Sequence, residues 1–340
     1  MKTILVTGGC GYIGSHTIVE LIQSGYKAIS LDNLSNSSEQ VLKGIKEITG
    51  VQVENFRLDV NDKAGLRTLF SSNQIDGVIH FAALKAVNES VHEPLLYYRN
   101  NIGGLIALVE VMQEFNCRNL IFSSSCSVYG NSKVIPVTES TPVAEPESPY
   151  ARTKLMGEQI LTDIARADAE MQIISLRYFN PAGAHPSNVI GESPTVNASN
   201  LVPVTTETAI GLRESLTVFG EDYPTRDGTC IRDYIHVTDI ANAHVLAMNF
   251  ILSGKNEKNY DVFNLGTGVG NTVLEVLHTF ERVNQSKVNY IIGPRRAGDV
   301  IAIYANNEKA RNVLGWQLRY NLEDIMRTAW LWDQKRRGND

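Results

Sequence analysis

Thr7-Gly8-Gly9-Cys10-Gly11-Tyr12-Ile13-Gly14 is the stretch on which the reading of this chain turns. Its glycines fit both GxGxxG and the looser GxxGxxG, but position gives them meaning. They fall between the β-branched run Ile4-Leu5-Val6 and a segment in which Ile18, Leu21 and Ile22 recur at helical spacing. A turn without side chains lets backbone approach a pyrophosphate and points helix N-terminal amides at its charge. Ser24-Gly25 then supplies a helix stop and Ala28-Ile29-Ser30-Leu31 a second strand, which completes one βαβ unit.

Working outward, strand-like runs recur at Val78-Ile79-His80-Phe81, Leu120-Ile121-Phe122 and Ile173-Ile174-Ser175-Leu176, with Leu105, Leu108, Val109 and Met112 on one helical face between them. The pattern predicts an α/β fold: a Rossmann doubly wound parallel sheet over residues 1–180, covered by helices on both faces. After Asn180 the texture changes, as Pro181, Gly183, Pro186, Gly191, Pro194 and Pro203 punctuate a stretch rich in Asn and Ser. A smaller α+β lobe is expected over 181–340, with helices at 240–252 and 322–335 and a strand at Val262-Phe263-Asn264-Leu265, some segments of which can return to the first domain.

The bulk composition excludes several classes. Hydrophobic residues at 43% and charged residues at 20% suit a globular protein of 340 residues, and no run approaches the roughly 18 apolar residues of a membrane span. The start MKTILV is cut short by Thr7-Gly8-Gly9 and reads as a buried strand, not a leader, so a cytoplasmic location is expected. A net charge of -6 argues against nucleic acid, which is held by clustered cations. Cys10, Cys117, Cys126 and Cys230 show no paired spacing and the seven histidines no HExxH, so neither disulfide nor metal is expected.

Around the glycine loop the candidate dinucleotide contacts are Gly8, Gly11, Tyr12, Ile13 and Gly14. Asp32 ends the second strand 18 residues after Gly14, where a carboxylate accepts from adenosine ribose hydroxyls and repels a 2′-phosphate, favouring NAD. Asn33, Asn36 and Ser37 either line the adenosine or form the turn. Asp59-Val60 and Phe81-Ala82-Ala83 face the same crevice as strand ends.

Ser148-Pro149-Tyr150-Ala151-Arg152-Thr153-Lys154 reads as a helix start with Ser148 as N-cap and Pro149 in the first turn. Four-residue spacing puts Tyr150 and Lys154 on one face, so an ammonium near a phenol and an oxidised nicotinamide both favour phenolate, a base for a substrate hydroxyl. The alternative is a solvated helix face. Ser125, in Ser123-Ser124-Ser125-Cys126-Ser127-Val128-Tyr129-Gly130 after the Leu120 strand, is the candidate to hydrogen-bond the reacting oxygen, or else part of a loop satisfying itself.

TGGCGYIGSH, LDNLSNS, FAALKAV, SSSCSVYG, SPYARTK, RYFNPAGAHPS, NLVPV, FGEDYPTRDGTCIRDYIHVTD and RRAGD occur in order, and with them nearly the whole chain resembles the UDP-glucose 4-epimerase family of extended short-chain dehydrogenases. The resemblance implies Tyr150 as base, Lys154 lowering its pKa and holding the nicotinamide ribose, and Ser125 assisting proton transfer. It adds Lys85, Asn100 and Phe179 around NAD. It implies Asn180, Asn200 and Leu201 near sugar and phosphates, Thr217, Val218 and Phe219 beside uracil, Arg232 and Arg296 at the diphosphate, and Asp299 at the ribose. It also implies UDP-glucose and UDP-galactose as main substrates and a homodimer through helices of the NAD-binding half. Ile303 stands where members restricted to glucose and galactose carry Tyr and those taking N-acetyl sugars carry something smaller, so some N-acetylated turnover is expected. A nucleotide-sugar 4,6-dehydratase is the nearest rival, but Cys126-Ser127 replace the Asp-Glu pair it needs; a non-catalytic NAD sensor on the same fold is a second, disfavoured by the presence of both Tyr150 and Lys154.

Overall fold

The computed structural model describes residues 1–193, 198–296 and 299–338; Pro194 and the Ala297-Gly298 of RRAGD lie outside the described residues. Strands β1 (Thr3–Thr7), β2 (Lys27–Leu31), β3 (Asn55–Phe56), β4 (Gly77–His80), β5 (Asn119–Ser125) and β6 (Gln172–Tyr178) form a parallel sheet. Shorter strands follow: β7 (Asn180–Ala182), β8 (Leu216–Phe219), β9 (Ile231–Arg232) and β10 (Tyr234–His236). β11 (Tyr260–Leu265) then returns to the edge of the main sheet, whose order is β11-β6-β5-β4-β1-β2-β3. The remainder are β12 (Asn271–Thr272), β13 (Tyr290–Gly293) and β14 (Ala302–Ile303). The strand order reverses between β1 and β4, and on open α/β sheets that switch point is where ligands sit.

The helices in chain order are α1 (Tyr12–Gln23), α2 (Gln40–Thr49), α3 (Lys63–Ser72), α4 (Val87–His92), α5 (Pro94–Tyr97) and α6 (Gly104–Glu114). They are followed by α7 (Pro149–Ala167), α8 (Leu201–Ala209), α9 (Val237–Leu252), α10 (Val273–Asn284), α11 (Glu308–Leu314) and α12 (Leu322–Arg336).

Alternation along the strands divides the core. Ile4, Val6, Ile79, Ile121 and Ile174 pack with α1, α2 and α9 on one face. Leu5, Val78, Leu120, Phe122 and Ile173 pack with α3, α6 and α7 on the other. Strands buried on both faces are apolar at most positions, and the buried polar residues Ser30, His80 and Ser175 interrupt three of the expected runs. The expected helix faces, Ile18-Leu21-Ile22 and Leu105-Leu108-Val109-Met112, bury as read. Gly25, with φ +83, ends α1 as its stop requires.

Two features depart from the reading. β3 is only two residues long and was not among the expected runs. The strand around Val262–Leu265, expected in the smaller lobe, pairs in parallel with β6, and α9 from the same half packs beside α1. Local pattern fixes a strand's existence but not which sheet receives it. A third cluster, built from Val218, Tyr234, Val276, Leu277, Phe280, Ile325 and Met326, lies wholly within the second half of the chain. Among the described residues no helix is long and apolar enough to cross a membrane, and the four cysteines are free.

Candidate active site

The glycine loop is built by contact between backbones. Gly8 (φ +70) leaves so little room that a Cβ there would lie 2.9 Å from the Ala82 nitrogen, and a Cβ on Gly14 would lie 2.2 Å from the Gly8 carbonyl oxygen. The Gly8 amide donates to Leu31 O at 2.7 Å and the Gly11 amide to Gly8 O at 3.0 Å. Gly11 caps α1 with no side-chain hydrogen bond, which leaves first-turn amides open toward the loop. An uncapped helix start beside close-packed glycines fits a pyrophosphate. Tyr12, the first residue of α1, donates its hydroxyl to Gly183 O at 2.5 Å and so ties this loop to the second half of the chain.

Asp32 is buried and holds three donors: the Cys10 amide (3.0 Å), the Leu34 amide (2.9 Å) and the Ser37 hydroxyl (2.7 Å). The acid that was expected to face a ribose therefore also pins the glycine loop to the turn after β2. Asn33 donates to Asp59 at 2.9 Å, and Asp59 also takes the Asn61 amide and side chain. Burial works to raise the Asp59 carboxyl, but these hydrogen bonds hold it below the ordinary value. Val60 is buried against Gly104, Asn36 is exposed, and Phe81, Ala82 and Ala83 are half-buried at the end of β4. Lys85 is exposed and pairs with Glu192 at 3.4 Å.

Asn100 lies in a π-helical turn, Tyr98–Gly103, and donates to Asn101 at 2.9 Å. Asn101, which the sequence reading missed, joins two functional segments. Its side chain bonds both the amide and the carbonyl of Leu84 and donates to Thr153 Oγ1 at 3.0 Å, one residue before Lys154. Its signal was the adjacent Asn pair just ahead of the apolar Leu105 helix, where short amides compete for backbone groups.

Ser148 caps α7 by accepting from the Ala151 amide at 3.2 Å, with Pro149 in the first turn, as the residues required. Tyr150 and Lys154 then stand one turn apart, with the ammonium 6.0 Å from the phenol ring centroid and 5.2 Å from that of Phe122. Lys154 Nζ donates to Ser123 O at 2.7 Å. Burial pushes the Lys154 ammonium down to about 8, with Glu158 acting against it. Burial also pushes the Tyr150 phenol up to about 12, although its ring is only half-buried, and the neighbouring Ser125 hydroxyl pulls it back in part. Burial thus favours the protonated phenol, and a positive charge beside it would act in the opposite direction. Ser125 Oγ accepts from the Ser127 amide at 3.2 Å, so the serine loop does satisfy itself in part.

The remaining candidates form a second corner. Asn180 opens β7 and its amide donates to Asp233 O at 2.9 Å. Phe179 and Ile303 pack in one buried cluster with Tyr129 and Val137, bordered by Cys126 and Leu155. Ile303 pairs with Arg232 across β14 and β9. Arg232 and Arg296 converge on one oxygen of Asp299, at 3.4 and 2.7 Å. The Arg296 guanidinium also lies over the Phe219 ring at 5.5 Å. Thr217, Val218 and Phe219 form β8, with Val218 facing the third cluster and Phe219 exposed. Asn200 precedes α8, which begins at Leu201 with no side-chain cap, a second open helix start.

Comparison with known proteins gives the arrangement its context. UDP-glucose 4-epimerase from Bacillus subtilis (strain 168) is 48% identical over 97% of this chain and 96% of its own. The crystal structure of the UDP-glucose-4-epimerase from Stenotrophomonas maltophila, with bound NAD and formylated UDP-arabinopyranose, matches with a TM-score of 0.97 at 44% identity over all of both chains. The chain belongs to the UDP-glucose 4-epimerase family. The structure of the Bifidobacterium longum epimerase in complex with NAD+ and UDP matches with a TM-score of 0.94, 44% identity and 99% of each chain. A broader family model, described as GDP-mannose 4,6 dehydratase, covers residues 5–329.

Beyond Asn101, sequence reasoning about this epimerase chain passed over Thr7, whose hydroxyl bonds His80 Nδ1 at 2.7 Å and takes the Ala82 amide at 3.3 Å. It also passed over Tyr178, whose hydroxyl bonds Ser123. A buried Thr or Tyr inside a strand looks like packing until its partner on another strand is known.

Proposed function

We propose that this chain interconverts UDP-glucose and UDP-galactose by reversible oxidation at sugar C4, with NAD as its bound cofactor. The observation that carries the reading is the convergence of Tyr150, Lys154 and Ser125 where β5 and α7 meet, at the same sheet edge as the uncapped glycine loop. Full-length identity to UDP-glucose 4-epimerases supports it. The dehydratase description fits less well, since Cys126-Ser127 follow Ser125 and neither is a carboxylic acid.

Gly8, Gly11, Tyr12, Ile13 and Gly14 would hold the pyrophosphate, Asp32, Asn33, Asn36 and Ser37 the adenosine side, and Asp59, Val60, Phe81, Ala82, Ala83, Lys85, Asn100 and Phe179 the rest. When bound, NAD would accept the hydride from the sugar and bring a positive charge near the phenol. Tyr150 takes the C4 hydroxyl proton as hydride leaves the same carbon, and Ser125 hydrogen-bonds the reacting oxygen. Lys154, dry and fixed on Ser123 O, orients the ribose and adds its charge. Arg232 and Arg296 hold the diphosphate, Asp299 the ribose, β8 the uracil, and Asn180, Asn200 and Leu201 the sugar side. Since hydride must return to the opposite face, the 4-keto sugar turns over in place while the UDP stays anchored.

Ile303 borders the sugar space, which admits limited turnover of N-acetylated sugars. The working division is an NAD-binding domain at 1–180 and a UDP-sugar-binding domain at 181–340, with β11 and α9 lent back to the first. A homodimer is supported by Val87, Val91, Leu95, Leu96 and Ile106, all exposed on the consecutive elements α4 to α6. Incubating the purified protein with UDP-galactose alone tests the activity: UDP-glucose must form with no net redox change. A protein that retains NAD but yields no product would overturn the reading.

A further inference from the structure

Beneath Lys154 lies a buried ion pair that the chemistry just described does not use. Arg177 on β6 meets Glu158 on α7 in a two-pronged contact, Nε to Oε1 at 2.8 Å and Nη2 to Oε2 at 2.5 Å, and both side chains are about 95% buried. Its partners are ordered across the sheet. Ser124 on β5 and Asn264 on β11 are the register neighbours of Arg177 on either side. Ser124 Oγ donates to Glu158 Oε1 at 2.5 Å. Arg177 Nη1 donates to the Tyr129 hydroxyl at 3.0 Å, and that hydroxyl donates to Asn264 Oδ1 at 2.7 Å. One row over three strands is thus clamped to a single carboxylate on the helix above it.

That carboxylate lies four residues after Lys154 and eight after Tyr150, while Ser124 lies between Ser123, which accepts from Lys154, and Ser125. α7 and β5 are therefore joined at two adjacent points, Lys154 to Ser123 O and Glu158 to Ser124 Oγ. We propose that the Glu158–Arg177 pair is a positioning device for the reaction: it fixes α7 against β5, so that Tyr150 and Lys154 meet Ser125 in one geometry. Buried pairs seldom add net stability over apolar packing, so geometry is the better account of why one lies here.

The charged and titratable groups around the two side chains are few. Lys154 faces Tyr150 and Glu158 on its own helix and His80 from β4. Glu158 faces Arg177 from β6 and Tyr260 from β11, while Arg177 faces Tyr129 after β5 and Tyr260. Glu158 is the group that opposes the burial of Lys154, so losing its charge leaves Lys154 easier to deprotonate.

The proposal rests on the epimerase reading, and the test separates the two. The NAD-loaded protein is assayed with UDP-galactose as wild type, Glu158→Gln and Ser124→Ala, recording kcat and KM from pH 7 to 9, retained NAD and thermal unfolding. Glu158→Gln is expected to lower kcat about tenfold at pH 7 with KM unchanged within about twofold, and the deficit should widen as pH rises. Ser124→Ala, which leaves the ion pair whole, should lower kcat about threefold, again without moving KM. A folded, NAD-bound Glu158→Gln protein with wild-type kcat and pH profile overturns the proposal. If that variant does not fold, Ser124→Ala decides, and an unchanged kcat there overturns it equally. A wild type silent toward UDP-galactose overturns the epimerase reading, and this one with it, before any variant is made.

Discussion

Around Tyr150 and Lys154 the polar groups are largely buried and already bonded to one another, whereas around Arg232, Arg296 and Asp299 the charges face each other across a corner in which Arg296 is half-exposed. The first corner has Lys154 on a carbonyl, Ser123 on Tyr178 and Ser124 on Glu158. The second has two guanidiniums sharing one carboxylate oxygen, an arrangement that a diphosphate can enter by exchange of partners. The difference suits the two tasks proposed for these corners. Proton transfer tolerates little displacement, which a buried, internally bonded frame would serve. A nucleotide that anchors while its sugar turns over needs strong but exchangeable charge contacts.

The comparison is broken most sharply at the phenol. Tyr150→Phe is expected to lower kcat for UDP-galactose by about 10² to 10⁴-fold while NAD stays bound, and conversion at wild-type speed would remove the base from the mechanism. Acid attacks the dry side next. Burial pushes His16, His80 and His236 down to about 3 from 6.5, so all three are neutral in the fold. Their folded values lie below the unfolded one, so stability is full above pH 6.5 and is lost as pH falls toward 3; at pH 5 each costs about 2 kcal/mol. Denaturant melts at pH 7.5 and 5.0 check this, and His80→Asn should shrink the difference. Equal stability at the two pH values would contradict the burial argument.

On the other side, Arg232→Met should raise KM for UDP-galactose about tenfold with a smaller change in kcat, the reverse of the split expected at Tyr150. Ile303→Tyr should cut kcat/KM for UDP-N-acetylglucosamine severalfold relative to UDP-galactose, and Ile303→Cys should raise that ratio. The smallest effect belongs to the half-exposed cation: Arg296→Ala should raise KM two- to threefold and flatten its dependence on salt. An Arg296 effect larger than that of Arg232 would invert the ranking by burial.

Much of the dry corner was legible because its signals are local. Tyr150 and Lys154 are four residues apart on a helix whose cap and proline are also written in sequence, and Asp32 follows from one βαβ unit. The buried parallel strands showed as short, mainly apolar, β-branched runs, while β3, two half-buried residues, had too little length to show. The charge-exchange corner was not legible from spacing. Arg232 and Asp299 are 67 residues apart and meet only through a fold whose small strands carry no period, so family resemblance named them. Glu158 and Arg177 were missed for a different reason: a lone acid on a helix and a lone base in a strand look like solvated charges until both are found buried against each other.

The edge strand β11 sets the order in which this molecule can be made. Residues 260–265 complete a sheet whose other six strands end by Tyr178, so a growing chain presents the bare rim of β6 to its surroundings until the later segment emerges. A fragment ending near residue 180 should accordingly aggregate when expressed alone. Supplying residues 181–340 in trans gives it the missing seam, which makes the 180/181 junction a natural place to ask whether two separately expressed halves can rebuild one working enzyme.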